Sequence, residues 1–381
     1  MKVIKLDSLT DKDIILKTIG STKEGMRIMA DKMQIHLFYL KDIKTPAANI
    51  LKQDALSIGA DLAVEKDTIL CSKKSVNALL IATTKQLKVL SKKELAQPFG
   101  LKEFAKEIKK YLNQQKEETK IMGILNANED SFYKDSRFSN KDASHRMISM
   151  IEEGADIVDI GAVSSRPGSK KVDANIELDR IKPIIDTIYE QKFYEKALFS
   201  VDSYEPLVVE YALSHGFKIV NDITALSNDK VASLAASYDA TVVLMHMQGT
   251  PEDMQKKPSY KNVLLEVEEF FDKRIEKAKE FGIKDIVLDV GIGFGKTLEH
   301  NLQLIKHLSH FKKFSLPLLV GASRKSMIDA IYPCSVEDRL SGSIALHLKS
   351  IQEGASIIRC HDVKEHKQAF SVIQALDKVT L

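Results

Sequence analysis

Cysteine is scarce in this chain, and long apolar runs are absent from it. The three cysteines, Cys71, Cys334 and Cys360, lie far apart among the 381 residues, so their spacing fits neither a disulfide framework nor a zinc site. Unpaired thiols of this kind are typical of a cytoplasmic protein. No apolar stretch approaches the roughly 20 residues that a membrane-spanning helix needs, and the charged first residues do not resemble a signal peptide.

An excess of charge of one sign is also missing. The formal net charge is only +3, whereas nucleic-acid-binding proteins usually carry a strongly basic face. A charge this small does not repel a small anionic substrate. We therefore expect a cytoplasmic protein whose ligands are small molecules, with neither a nucleic-acid nor a membrane partner.

One glycine-rich stretch, DVGIGFGKT at residues 289–297, looks at first like a phosphate-binding loop. A P-loop requires a glycine, four residues, and then Gly-Lys followed by Ser or Thr. Counting back from Gly295 places the required first glycine at position 290, which is Val290. The sequence therefore excludes a P-loop here, and the role of the stretch depends on what surrounds it.

Length and composition favour two domains. The 381 residues include 44% hydrophobic residues, enough for a large core. Residues 101–112 carry apolar side chains at helical spacing, and the polar run 113–120 follows them. This pattern predicts a helix and a linker, so we place a domain boundary near residue 115. The predicted domains are a small α/β domain of unknown role over 1–115 and a catalytic domain over 116–381.

The first predicted domain carries modest signals. The apolar runs 33–43 and 78–84 predict strands, and residues 46–60 predict a helix. No constellation of chemically reactive residues is apparent in this part of the sequence. We favour a structural role for it, with oligomer formation or binding of another enzyme as alternatives.

Eight short apolar runs follow residue 120, separated by helix-like segments. They are continuous rather than alternating, as in parallel strands that are covered on both faces. Eight such strands with intervening helices predict a (β/α)₈ barrel, and a doubly wound open sheet is the alternative. The runs are 121–127, 156–162, 198–203, 217–223, 241–247, 285–291, 317–323 and 356–362.

Polar residues close most of these runs. Taken singly, such a residue is more often a turn former or a helix cap than a catalyst. In a barrel, however, all eight strands end at one mouth, so together these residues predict a site. The set contains no nucleophile with an activating base, which favours binding and electrostatic catalysis. Its members are Asn126, Asp159, Asp202, Asn221, Asp222, His246, Asp289, Ser323, Arg324, Lys325, Ser326, Arg359, His361 and Asp362.

The motifs at these strand ends resemble those of the dihydropteroate synthases, in the pterin-binding (β/α)₈ family. The resemblance runs in order from about residue 119 to 378 and does not cover residues 1–115. Three of the motifs, SRPG, SRKS and RCHD, belong to three different loops. The matching stretches are ILNANEDSF, DIGAVSSRPGS, SVDSY, IVNDI, LMHMQGTP, LDVGIGFGKTLEHN, LVGASRKS and IIRCHDVKE.

The resemblance implies a transferase of folate biosynthesis. The implied reaction joins 6-hydroxymethyl-7,8-dihydropterin pyrophosphate to 4-aminobenzoate and gives 7,8-dihydropteroate and pyrophosphate. The pyrophosphate leaves first in an SN1-like step, and the amine then attacks the pterin methylene cation. Mg²⁺ is the implied cofactor, with Asn126 as its protein ligand. A homodimer and sensitivity to sulfonamides are implied as well.

The resemblance also assigns roles to single residues. Lys296 is not expected to bind phosphate, and the glycines of 289–297 are expected to turn closely over the pterin ring. Two loops, about 127–140 and 162–172, are expected to close over the substrates. The implied pterin contacts are Asp202, Asn221, Met245, Asp289, Phe294 and Lys325. The implied pyrophosphate contacts are Asn126, Arg359 and His361. The implied aminobenzoate contacts are Phe132, Ser165, Pro167 and Ser326. The implied catalytic set is Asn126, Asp135, Arg166, Lys325, Arg359 and His361.

Several positions depart from the family pattern. Lys134 occupies the position of an aspartate that steadies the cation, and Asp135 follows one place later. Further departures are Val163 for Glu, Ser165 for Thr, Val290 for Pro and Gln248 for Arg. They concern the aminobenzoate pocket more than the pterin pocket. The alternatives are a methyltransferase that moves a methyl group from a reduced folate to a corrinoid protein, and an inactive pterin-binding protein.

Overall fold

The structure is a computed structural model that describes residues 1–6, 11–112, 118–127, 139–163 and 172–379, with residues 139–142 described by their backbone alone. One compact unit comprises Met1–Gln115, Lys313–Ser315 and Val372–Leu381, and a second comprises Lys116–Lys312 and Leu316–Ser371. The predicted boundary near residue 115 lies among residues 113–117, outside the described residues, and stays a prediction. Within the described ranges, no helix combines the length and the apolar character needed to span a membrane.

The first unit is an α/β structure with a small antiparallel sheet, as the sequence predicted. Its strands are β1 (Ile35–Lys44), β2 (Asp61–Val64) and β3 (Ser75–Thr83), in the order β1-β3-β2. Its helices are α1 (Lys12–Thr18), α2 (Lys23–Met33), α3 (Thr45–Ser57), α4 (Thr84–Lys93) and α5 (Leu101–Lys110). The strand β2 was not predicted, because its four residues bury only Leu62 completely and so lack a periodic pattern.

One apolar core holds this unit together. Leu51 of α3, Leu62 of β2, Leu80 of β3 and Leu87 of α4 are all fully buried in it. The start of α4 is fixed by a capping box, in which Thr83 and Gln86 satisfy each other's backbone N–H groups. Burial of the apolar face, rather than helix propensity alone, therefore stabilises these helices.

The second unit is a closed barrel of eight parallel strands, which confirms the predicted (β/α)₈ fold. Each strand pairs with its neighbours in the chain, and β11 pairs with β4 to close the barrel. The strands are β4 (Lys120–Asn126), β5 (Ile157–Gly161), β6 (Leu198–Asp202), β7 (Ile219–Asp222), β8 (Thr241–Met245), β9 (Ile286–Asp289), β10 (Leu318–Val320) and β11 (Ile357–Cys360).

At least one helix lies between each pair of consecutive barrel strands. The helices are α6 (Ser139–Glu152), α7 (Ala174–Glu190), α8 (Pro206–Ser214), α9 (Asp229–Ser237), α10 (Val263–Glu280), α11 (Leu298–Lys306), α12 (Ser326–Ile331), α13 (Leu340–Gln352) and α14 (Val363–Lys378). Most barrel strands are buried along nearly their full length, which explains their continuous apolar runs.

A layer of apolar side chains fills the barrel interior. It packs into one cluster and forms a floor beneath the polar strand ends. The layer consists of Met122, Ile157, Ile219, Val243, Val287, Leu319 and Ile357. Because the interior is packed, polar residues that point inward are confined to the carboxyl ends of the strands.

The pH dependence of the first unit's stability should depend on Glu94. This side chain is fully buried, and its burial, together with the neighbouring Asp54, raises the pKa of Glu94 to about 7. A raised carboxyl pKa gives stability that is present below the unfolded pKa of about 4.5 and is lost as the pH rises through 7.

Glu94→Gln should therefore flatten this pH dependence between pH 5 and 8. Hydrogen exchange of core amides in α4 measures the opening free energy of this unit by itself. Lys88→Met is the control, because exposed Lys88 pairs with Asp31 and the change leaves Glu94 in place. If the opening free energy changes with pH equally in the wild type and in Glu94→Gln, Glu94 is not the source of the pH dependence.

Candidate active site

The predicted site residues that the structure describes lie at the carboxyl end of the barrel. Asn126, Asp202 and Met245 are the last residues of β4, β6 and β8, and Asp289 ends β9. The strand register brings them side by side in pairs, because Asp202 is paired with Asn221 and Met245 with Asp289. The barrel therefore brings residues that are distant in sequence together at one polar mouth.

An ion cluster links the strands β5, β6 and β11. Arg359 on β11 donates from Nε to Oδ2 of Asp159 over 2.6 Å and from Nη2 to Oδ2 of Asp202 over 2.7 Å. The Asp159 side chain is 0% exposed, so this ion pair lies in a medium where Coulomb forces are strong. The side chain expected to contact pyrophosphate is thus already engaged by two carboxylates.

Asp159 is the member of this cluster that the role assignments did not include. Asp159 was predicted to lie at a strand end, but no substrate contact was assigned to it. In addition to Arg359, its Oδ2 accepts a 3.0 Å hydrogen bond from Nδ2 of Asn221. Its buried Oδ1 has no hydrogen-bond partner within the described part of the chain. The signal in the sequence was an acidic residue inside the apolar run 156–162, where a charge is costly unless it is paired.

The electrostatics of the mouth are set by burial and by shared charges. Burial raises the pKa of Asp202 to about 7, against the influence of Arg359 and with that of Asp159. Burial also opposes the charge of Arg359, but the two carboxylates outweigh this effect and raise the pKa of the guanidinium. Arg359 therefore stays charged, and its ion pair with Asp202 opposes the effect of burial on that carboxylate.

Asp289 and Phe294 are held by local contacts. Oδ1 of Asp289 accepts a 2.7 Å hydrogen bond from the backbone N–H of Gly291. Burial raises the pKa of Asp289, and this hydrogen bond and the charge of Lys325 act in the opposite direction. Nζ of Lys325 lies 4.3 Å from the centroid of the Phe294 ring, in a cation–π contact. The stretch 289–297 thus presents a carboxylate, an aromatic ring and a neighbouring ammonium to the mouth.

Two glycines of this stretch approach the loop after β8. A Cβ on Gly291 (φ +66°) would lie 1.9 Å from the carbonyl oxygen of His246, and one on Gly295 (φ +63°) would lie 2.4 Å from that of Gln248. The resemblance assigned these glycines to the pterin ring, whereas in the structure they face backbone. Thr297 is the N-cap residue of α11, because its side-chain oxygen accepts a hydrogen bond from the N–H of His300.

The loops after β10 and β11 are joined by two contacts. Nδ1 of His361 lies 2.9 Å from Oγ of Ser323, and burial and then Arg359 lower the pKa of His361 to about 4. Arg324 forms a bidentate ion pair with Asp362, over 3.0 and 2.6 Å. His361 is therefore a neutral hydrogen-bonding group at neutral pH, held beside the strand that carries Arg359.

A cavity of about 540 Å³ opens beside Asp202 and Met245. It extends between the loops after β6, β7 and β8 and reaches Phe270 and Arg274 on α10. Pockets of about 300–1,000 Å³ commonly hold small organic ligands. The cavity therefore offers enough space for a bicyclic ring beside the carboxylate of Asp202.

Part of the predicted site is outside the described residues. Phe132, Asp135, Ser165, Arg166 and Pro167 fall in the segments 128–138 and 164–171. Their predicted roles stay predictions.

Two further predicted residues are described. Ser326 is exposed at the start of α12, and Asn126 is partly exposed at the end of β4. In the described ranges, no three His, Cys, Asp or Glu side chains are grouped so as to hold a metal ion.

Removing the guanidinium of Arg359 should destabilise the barrel. We expect Arg359→Met to lower the free energy of unfolding by about 3–5 kcal/mol, because Asp159 would stay buried without its cation. Chemical denaturation of the purified protein measures this change. Arg324→Met is the matched control, and it should cost less because the Arg324–Asp362 pair is more exposed.

A double variant tests the physical reason. Adding Asp159→Asn to Arg359→Met removes the uncompensated charge and should restore part of the lost stability. If the double variant is no more stable than Arg359→Met, packing rather than electrostatics explains the loss.

The chain is similar to known proteins over its barrel and, for some relatives, over nearly its whole length. The family described as pterin binding enzyme matches residues 122–361. The bifunctional dihydropteroate synthase/dihydropteroate reductase of Helicobacter pylori is 43% identical over 364 residues, which cover 95% of this chain and 96% of that protein.

Solved structures resemble the barrel in the same way. The Yersinia pestis dihydropteroate synthase, in complex with a sulfonamide drug, gives a TM-score of 0.64 at 38% identity and covers 69% of this chain and 95% of that one. The Xanthomonas albilineans dihydropteroate synthase with 4-aminobenzoic acid gives 0.64 at 36% identity, over 69% and 94% of the two chains. The chain with this barrel and this mouth therefore belongs to the dihydropteroate synthases of the pterin-binding enzyme family.

Proposed function

We propose that different residues of the barrel mouth bind the pterin ring, the pyrophosphate and the aminobenzoate in the reaction of this family. The chain is a transferase of folate biosynthesis that makes 7,8-dihydropteroate from 6-hydroxymethyl-7,8-dihydropterin pyrophosphate and 4-aminobenzoate. The observation that carries the proposal is the convergence of Asp202, Asn221 and Asp289 with Arg359 and Lys325 at the barrel mouth. Asp202 also lines the neighbouring cavity.

The pterin ring is bound by the carboxylates of the mouth. Its aminopyrimidine edge presents N–H groups that donate hydrogen bonds to Asp202 and Asp289. Lys325 donates a hydrogen bond to the ring carbonyl. A hydrogen bond to a charged group contributes about 1.5–3 kcal/mol, so a few such bonds select the pterin over other rings. Met245 and Phe294 cover the two ring faces. The N–H of Gly291 already orients Asp289, so less ordering is needed when the ring binds.

The departing pyrophosphate meets Arg359 and His361. A guanidinium has five N–H donors, and Asp159 and Asp202 use two of them, so the others can bind phosphate oxygens. His361 donates as a neutral group from the ring nitrogen that does not face Ser323. The fixed positive charge of Arg359 stabilises the negative charge that develops as the C–O bond breaks. This favours departure of pyrophosphate before the amine attacks.

Mg²⁺ fits the polar mouth as a partner of the pyrophosphate. Mg²⁺ usually keeps several waters and binds substrate phosphates together with one or two protein carboxylates. Here the amide oxygen of Asn126 is the proposed protein ligand. When bound, it would neutralise charge on the leaving group. The aminobenzoate carboxylate would lie near Lys325 and Ser326, with Phe132, Ser165 and Pro167 as proposed contacts. Asp135 and Arg166 are the proposed catalytic residues of the two covering loops.

Three wider properties are proposed with this function. The protein acts as a homodimer in the cytoplasm, and sulfonamides compete with 4-aminobenzoate. Support for the last point is the sulfonamide bound to the similar Yersinia pestis enzyme. A methyltransferase to a corrinoid protein is disfavoured by the similarity to synthases, and an inactive pterin-binding protein is an outcome of the following test.

The purified protein should convert dihydropterin pyrophosphate and 4-aminobenzoate, with Mg²⁺, to pyrophosphate and dihydropteroate, the latter identified by mass. Asp289→Ala should lower kcat/KM for the pterin substrate by about tenfold to a hundredfold, the equivalent of one charge-assisted hydrogen bond. Glu299→Ala, an exposed carboxylate on the next helix, is the control and should behave as the wild type.

Other outcomes separate the two halves of the site. Pyrophosphate release without dihydropteroate would contradict the aminobenzoate assignments. Binding of the pterin substrate without turnover would identify an inactive binder.

A second activity is suggested by one comparison. The Helicobacter pylori relative, named as both a synthase and a dihydropteroate reductase, matches 95% of this chain and therefore includes the N-terminal unit. The similar Yersinia pestis synthase matches only 69% of this chain while being covered to 95% itself. We propose that the N-terminal unit contributes a reductase activity that acts on the product of the barrel.

Reduction of added dihydropteroate tests this second activity. The full chain should form tetrahydropteroate, identified by mass, with NADPH alone or with NADPH and a flavin as hydride donors. Asp289→Ala should weaken condensation by about tenfold to a hundredfold and keep the rate of reduction, because Asp289 belongs to the barrel mouth. If the wild type condenses but never reduces dihydropteroate, the second activity is wrong. If Asp289→Ala weakens both, the reductase site is not separate from the mouth.

A further inference from the structure

Lys296 carries a buried ammonium group, and none of its hydrogen-bond partners among the residues that the structure describes is a carboxylate. The residue is 3% exposed. Its Nζ lies 2.9 Å from Nδ1 of His246, and it donates to the carbonyl oxygens of His246, Gly291 and Phe294 over 3.1, 2.9 and 2.9 Å. A buried cation is costly unless its hydrogen bonds are satisfied, so this arrangement calls for a specific role.

The groups around Nζ belong to the ends of two neighbouring strands. His246 directly follows β8, and Gly291 and Phe294 follow β9. Because one ammonium bonds to both segments, it fixes their separation. Burial lowers the pKa of Lys296 to about 7, and the negative charge of Asp289 acts in the opposite direction.

The two segments lie too close together for side chains to separate them. The carbonyl oxygen of His246 occupies the position that a Cβ on Gly291 would need. Other groups fix the remaining peptides of the stretch: Asn301 accepts from the N–H of Gly293 over 2.8 Å, and Tyr260 donates to the carbonyl oxygen of Gly295 over 2.8 Å. Lys296 is the charged member of this set, and its Nζ bonds to both segments. Tyr260 and Gln255, which follow β8, add neutral hydrogen bonds between the same two segments.

Lys296 holds the carbonyl oxygens of two residues that orient or form the proposed pterin contacts. The N–H of Gly291 donates to Asp289, and the carbonyl oxygen of Gly291 accepts from Lys296. Phe294, whose carbonyl oxygen also accepts from Lys296, presents its ring to Lys325. A shift of the ammonium would therefore move a carboxylate and an aromatic ring together.

We propose that Lys296 is a positioning residue of the pterin site, holding the segments after β8 and β9 so that Asp289 and Phe294 meet the ring. It acts through these residues and does not touch the substrate. The proposal rests on the function proposed above, in which Asp289 and Phe294 bind the pterin. It also gives the lysine of the stretch 289–297 a role other than phosphate binding.

Lys296→Met keeps the length of the side chain and removes the charge and all donors. We expect the KM for the pterin pyrophosphate to rise by about tenfold to a hundredfold, as for misplacement of a binding group by a small distance. The KM for 4-aminobenzoate should stay within about twofold, because its contacts lie on other loops. Lys273→Met makes the same chemical change on exposed α10, where Lys273 pairs with Glu269, and should leave both constants unchanged.

The kinetic outcomes separate this proposal from the proposed function. If the wild type turns over and Lys296→Met keeps its KM for the pterin substrate, the positioning role is wrong. A fall in kcat alone, with both KM values unchanged, would also overturn it, because the residue would then act on the reaction step. Failure of the wild type to turn over would count against the proposed function instead.

Hydrogen exchange on the wild type covers the case in which Lys296→Met does not fold. The N–H groups of Gly291, Gly293 and Phe294 all have hydrogen-bond acceptors in the structure. A stretch held by Lys296 should show slow exchange at these amides before any pterin is added. Fast exchange that slows only when a pterin binds would mean that the ligand, not Lys296, orders the stretch.

Discussion

The ion pairs of Arg359 with Asp159 and Asp202 constrain the whole mouth of the barrel. They join β11 to β5 and β6 across the barrel interior, above a floor of apolar side chains. A guanidinium in this position satisfies two carboxylates that would otherwise be costly to bury. The same contact orients Asp202 toward the cavity, so the stability of the barrel and the shape of the binding site depend on one group.

Backbone contacts complete the other side of the mouth. Gly291 and Gly295 let the segment after β9 lie directly against the segment after β8, and Lys296 bonds to both. This side therefore carries its ligand-binding groups on a stretch whose peptides are already hydrogen-bonded. Such preorganisation suits a reaction in which the protein positions a ring and stabilises charge, without forming a covalent bond to it.

Most of the architecture could be predicted from the sequence. Eight continuous apolar runs and the helical segments between them indicated the closed barrel, because parallel strands buried on both faces give this pattern whatever their partners. The strand β2 escaped prediction because a four-residue strand has too few positions to show a period. The site was predicted in outline, since polar residues after Met245, Val220 and Leu288 interrupt runs that burial would otherwise keep apolar.

The sequence by itself determined which residues end the strands. The alternation of apolar runs and helices predicts a barrel, and in a barrel all of these residues lie at one end. Only the tertiary structure decided which of them meet. Arg359 and Asp159 are 200 positions apart in the chain, and their pairing follows from barrel closure and strand register rather than from any local pattern. In the same way, Lys296 gains its role because His246 approaches it from a different strand, and no spacing within the stretch 289–297 encodes that contact.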